Sequence, residues 1–93
     1  MTFQTHLDVT RIEASVFPIG DVNRRYFTAY IEQTPQGWAV HDGHDGYDAD
    51  GAPHPGEPLR HPLEDYDAAL LLAVKLAPTL TVNGRMAAEV AAA

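Results

Sequence analysis

The sequence predicts an α+β fold: a two-layer sandwich in which an antiparallel sheet of three to four strands carries one main helix across a face, followed by a short C-terminal helix. Three observations predict it. Residues 25–33 alternate in polarity and run through a Pro/Gly turn into a second apolar segment. Residues 63–77 place apolar side chains at helical spacing. The chain has 93 residues, 45% of them hydrophobic and 20% charged, which suits one small domain spanning residues 1–93.

Residues 5–17 read as a strand or a bent pair of strands. Leu7 and Val9 share one parity and Ile12, Ala14 and Val16 the other, so a bulge or break is expected near Thr10 and Arg11. Residues 18–23 are a turn centred on Gly20-Asp21. Residues 25–33 form the next strand, with Phe27, Ala29 and Ile31 on one face and Tyr26, Thr28, Tyr30 and Glu32 on the other. Thr34-Pro35-Gln36-Gly37 has Pro second and Gly fourth, as a type I turn requires, and residues 38–41 return as the third strand. Residues 41–57 hold three Asp-Gly pairs and little apolar content, which predicts a long loop or a wide hairpin. Residues 58–63 read as a short edge strand, since two prolines bar a central position.

Residues 64–77 are a helix. Leu63, Tyr66, Leu70, Ala73 and Ala77 follow the 3-and-4 spacing, with Leu72, Val74 and Leu76 widening the stripe. Glu64, Asp65 and Asp67 crowd the first turn, where the helix dipole favours carboxylates, and Pro78 ends it. Residues 79–82 are extended, and Asn83-Gly84 turns the chain into a short Ala-rich helix over 85–92.

Charge is distributed unevenly. Residues 41–67 contain eight acids and one base, Arg60, which accounts for the whole formal net charge of -7. The remainder holds five acids and five bases. The same stretch carries four of the five His, and its core, 41–58, is an acidic Gly/Pro/His-rich loop. Such a field repels phosphates and attracts cations, so a cationic protein partner is expected and nucleic acid is not. Residues 68–77, the longest strongly apolar run, are far short of the roughly 20 residues a bilayer span needs, so no membrane partner is expected. An edge strand left free would allow pairing with a second copy, making a homodimer the other partner to consider.

Chemistry-bearing residues are few. There is no Cys, one Ser (Ser15) and one Lys (Lys75), with no nucleophile elbow and no phosphate loop, so the chain reads as non-enzymatic and without a cofactor. His41 and His44, interleaved with Asp42 and Asp45, are the candidate metal ligands, although on a continuous strand they would face opposite ways. Residues 46–57 match a calcium loop at Asp48, Asp50, Gly51 and Glu57. Gly46 replaces the first ligand, however, and Pro53 the aliphatic eighth residue, so Asp48-Ala49-Asp50-Gly51 reads instead as a hairpin turn. Asp42, Asp45, Tyr47, Asp48 and Asp50, with Tyr26 and Tyr30, are the candidate partner-binding residues. Tyr26 and Tyr30 are exposed if the helix covers the Phe27 face and buried if it covers theirs.

Two resemblances accompany this reading. The run YFTAYIEQTPQGWAVHD followed by EDYDAALLLAVKLA resembles HicB-type antitoxins over residues 26–77. That resemblance implies a hairpin before a helix and a small basic toxin as partner. The proline-glycine-cysteine stretch usual in that family is missing here, and the tail after Pro78 is shorter than a DNA-binding domain. Length, acidity, element order and residue choice, with one Lys to five Arg and 14 Ala to 3 Ile, are similar to small orphan proteins of actinobacteriophages and high-GC actinobacteria. This implies an accessory protein that binds a phage or host protein. The opening MTFQTHLDVTRIE lacks a basic start followed by an apolar run, and with the absence of Cys this predicts a cytoplasmic location.

Overall fold

The computed structural model describes residues 2–93. Five strands, β1 (Arg11–Ala14), β2 (Ala29–Thr34), β3 (Gly37–His41), β4 (Gly46–Tyr47) and β5 (Pro53–His54), form one antiparallel sheet in the order β1-β2-β3-β4-β5. Helix α1 (Tyr66–Leu76) packs on β2 and β3. A two-stranded hairpin, β6 (Thr81–Val82) and β7 (Arg85–Met86), leads into the short helix α2 (Ala87–Ala92). The α+β reading holds, with five strands in the main sheet instead of three to four.

The β2–β3 hairpin is built as its residues suggest. Thr34 pairs with Gly37 across the two-residue connection Pro35-Gln36. The Thr34 hydroxyl accepts from the Gln36 N–H at 3.2 Å and donates to the Gly37 carbonyl at 3.1 Å. Gly37 has φ 144, and a Cβ there would stand 2.3 Å from the Leu63 carbonyl oxygen, so this position admits only glycine.

Register decides the covered face. Ile31 pairs with Ile12 on one side and Val40 on the other, and Ile31 and Val40 are the largest fully buried side chains. Phe17, Phe27, Ala29 and Leu63 join them, and Ala69 and Ala73 on α1 are fully buried against this cluster. Alanine at both positions brings the helix backbone close to the sheet, the complement of the large side chains below. The helix therefore covers the Phe27 face, and Tyr30, Glu32 and His41 lie on the other. Of the wider stripe, Leu72 and Leu76 are half-buried, while Val74 faces solvent, as does Leu71 outside the stripe. Asp65 is the N-cap, its carboxylate accepting from the Asp67 N–H.

Four expectations need correction. Within residues 5–17 only Arg11–Ala14 is strand, and Leu7 and Val9 are exposed because the last tie to β2 is the Gln33 N–H to the Thr10 carbonyl at 2.8 Å. β2 begins at Ala29, not Arg25. Arg24–Tyr26 is a 3-10 turn whose Arg24 carbonyl accepts from the Phe27 N–H and the Thr28 hydroxyl, so that Phe27 can turn inward onto Phe17, 5.6 Å ring to ring. Residues 58–63 are not a strand: Leu63 alone bridges Trp38, through bonds of 2.7 and 2.9 Å, and Pro58 and Pro62 break any longer pairing. Arg85 and Met86 are strand before the helix starts. Asn83 and Gly84 both have positive φ, 52 and 77, the requirement of a tight two-residue hairpin.

Candidate functional site in the acidic segment

The acidic Gly/Pro/His-rich stretch is folded, and its own carboxylates fold it. Asp42 closes the β3–β4 connection. Its Oδ1 accepts from the backbone N–H of His44 at 3.0 Å and Asp45 at 2.7 Å, and its Oδ2 accepts from the Tyr47 hydroxyl at 3.0 Å. Burial, with Asp42 and Asp45 nearby, raises the Tyr47 phenol above its ordinary value. Asp48 does the same for the β4–β5 connection, its Oδ1 accepting from the N–H groups of Asp50 and Ala52 at 2.9 and 3.0 Å. The hydrogen bond with His54, followed by that with the Ala52 amide, lowers the Asp48 carboxyl below its usual range. These are the side chain-to-backbone bonds that Asp residues offer in turns. Residues 46–54 are accordingly a hairpin, with the expected turn at Asp48–Gly51.

Two further turns follow β5. His54-Pro55-Gly56-Glu57 closes with the Glu57 N–H donating to the His54 carbonyl at 3.2 Å, Gly56 having φ 74 as the third residue of a type II turn. Arg60 then donates to the Glu57 carbonyl at 3.4 Å. This pair of turns folds back over β4, with the Glu57 carbonyl directly against Gly46.

The turns bring together side chains that sequence spacing leaves apart. One atom each of His54, Glu57 and His61 could ligate an ion, and these atoms all lie within 4.8 Å of one another. The two imidazoles stack at 3.7 Å between centroids with 23° between planes. Asp48 Oδ2 is 2.8 Å from His54 Nε2. The readable signal is His-x2-Glu-x3-His, which spacing alone does not single out without the turns at Pro55 and Pro58.

The proposed pair His41 and His44 does not converge. His41 is buried on the open face, where its Nε2 meets Glu32 Oε1 at 3.1 Å, its Nδ1 accepts from the Gly43 N–H, and its ring stacks on Tyr30 at 5.2 Å. His44 is exposed and paired to Asp45, which raises its pKa, first through the hydrogen bond and then through charge. Tyr30 is half-buried beneath Arg11, whose guanidinium lies 3.8 Å above its ring. Tyr26 is exposed beside Arg25 in the 3-10 turn before β2, apart from the turns that hold Asp42, Asp45, Tyr47, Asp48 and Asp50. Of those five, only Asp50 is exposed. Ser15 is committed to structure, donating to the Phe27 carbonyl at 2.8 Å and accepting from the Phe17 N–H.

No family, curated protein or solved structure is matched by the chain. Among the described residues, no helix is long and apolar enough to cross a membrane.

Proposed function

We propose that the protein is a small, non-enzymatic, cytoplasmic accessory protein that binds a cationic protein partner through its anionic segment. One observation carries the reading: the order of the sheet separates the charge. The β1 edge carries balanced charge, with Arg24 paired to Glu13 at 3.4 Å, whereas the β4–β5 edge and the start of α1 belong to the stretch that holds all seven net negative charges. A carboxylate that accepts hydrogen bonds from backbone amides is held in its charged form, so Asp48, whose carboxyl is lowered, adds to this field while it holds its turn. A field concentrated at one edge orients an approaching cation and speeds its association. A small basic toxin, as the HicB-type resemblance implies, is one partner of that chemistry.

The test uses charges that the fold does not need. Asp50, Glu64 and Asp67 are exposed. The triple variant Asp50→Asn, Glu64→Gln, Asp67→Asn should keep the fold and weaken capture of the partner from native extract at low salt. Wild-type capture should itself fade as the Debye length falls to about 3 Å at 1 M salt. A partner held equally by both proteins at all salt concentrations would refute the reading.

A further inference from the structure

We propose that His54, Glu57 and His61 form a binding site for a late first-row divalent metal ion of the zinc type. This goes beyond partner binding and rests on separate observations.

The first is chemical. Two imidazoles and one carboxylate make the ligand set of zinc sites with an open position, and imidazole nitrogen suits Zn, Ni and Cu better than Mg or Ca, which select oxygen. The second is geometric. Ligand atoms on a tetrahedral zinc, about 2.0–2.2 Å from the ion, stand roughly 3.3 Å apart. The three side chains already keep their ligand atoms within 4.8 Å of one another, and closing the site requires the two stacked rings to turn so that their in-plane lone pairs meet at one ion.

The third observation is an unmet demand. Nε2 of His61 is shut off from solvent and makes no hydrogen bond among the described residues, although Glu57 Oε1 stands 3.5 Å away. A buried polar nitrogen without a partner is costly and calls for an explanation, and a cation between it and Glu57 supplies one. The fourth is the support around the site. Asp48 lies 2.8 Å from His54 and is itself anchored by two backbone amides, the carboxylate neighbour that orients imidazole ligands in metal sites. All three ligands sit on or beside turns held by Pro55, Gly56 and Pro58, which limits their freedom before an ion arrives. A bound ion ties residues 54–61 to the sheet edge that they cover.

The probe is zinc added to the full chain without a histidine tag, followed by calorimetry, with cobalt as the spectroscopic reporter. One ion should bind per chain, raising Tm by roughly 10–20 °C at a hundredfold excess over Kd. The imidazole resonances of His54 and His61 should move, and those of His6 and His44 should not. His61→Gln and Glu57→Gln should each weaken binding at least tenfold, and His44→Ala should leave it unchanged. The resonance shifts are read on the wild type, so they decide the matter even if a variant fails to fold. Absence of zinc binding, zinc shifts at His44 instead of His54 and His61, or undiminished affinity in both folded variants would each overturn the proposal.

Discussion

Gly46 lies against the Glu57 carbonyl so closely that a Cβ at position 46 would stand 2.2 Å from the oxygen. Gly46 pairs with His41 on one side and His54 on the other, so the clash would come in the middle of the folded acidic segment. The carbonyl cannot yield without straining its bond from the Arg60 N–H, nor the strand without loosening this pairing. Gly46→Ala should therefore destabilise the protein by about 3 kcal/mol, at the upper end of what overpacking costs. Denaturant unfolding measures it. Gly43 has open space around it, and Gly43→Ala, strained only by its φ of 98, should cost less.

Tyr47 predicts an alkaline limit. Its phenol is raised in the folded state, so the native protein keeps a proton that the unfolded chain releases near pH 10. Stability from this group is whole below about pH 10 and falls as pH rises beyond it toward the folded value. Tyr47→Phe should remove that part of the pH dependence. Phenolate absorbance should show the late titration step of Tyr47 in the wild type and its loss in the variant.

His44 predicts a shift in the opposite regime. Its pKa is raised, chiefly by the Asp45 hydrogen bond, so the folded state favours the imidazolium. The contribution is complete below about pH 6.5 and is lost as pH rises through the folded value. An NMR titration should place His44 above the ordinary histidine range, and Asp45→Asn should bring it back down.

Asp65 caps α1 through the Asp67 N–H. Asp65→Ala should cost about 1 kcal/mol, the usual value of an N-cap carboxylate. Glu64, which precedes the cap and is exposed, should tolerate Glu64→Ala with little change.

Legibility in the sequence followed the scale of each signal. The β2–β3 hairpin was readable because Pro35 and Gly37 mark its turn and Phe27, Ala29 and Ile31 keep their parity. Helix α1 was readable from the spacing of Leu63, Tyr66, Leu70, Ala73 and Ala77, and its acidic first turn marked the start. Within the acidic segment the Asp48–Gly51 hairpin turn is legible from its residues, but β4 and β5 are not, because with two residues each they are too short for alternation to register. What folds them is hydrogen bonding from Asp42 and Asp48 to nearby amides, and composition alone does not distinguish such carboxylates from solvated ones. The convergence of His54, Glu57 and His61 depends on the direction of two proline turns, which spacing does not report. Residues 5–10 depart from the strand their pattern predicts because Leu7 and Val9 alternate like a strand while β2 offers no edge for them beyond the Gln33–Thr10 bond. The Ala-rich run after Arg85 and Met86 extends the helical pattern over them and obscures the hairpin that Asn83-Gly84 specifies.

Both the anionic edge and the histidine cluster require residues 42–61 to be folded onto the sheet. Amide hydrogen exchange measures this directly. The amides of Asp42, Asp48, Glu57 and Leu63, bonded to the carbonyls of Asp45, Ala52, His54 and Trp38, should be protected well above those of residues 3–9. If Asp42, Asp48 and Glu57 exchange as fast as that exposed arm, the stretch is a solvated loop, and neither the charge-polarised edge nor the ligand triad exists.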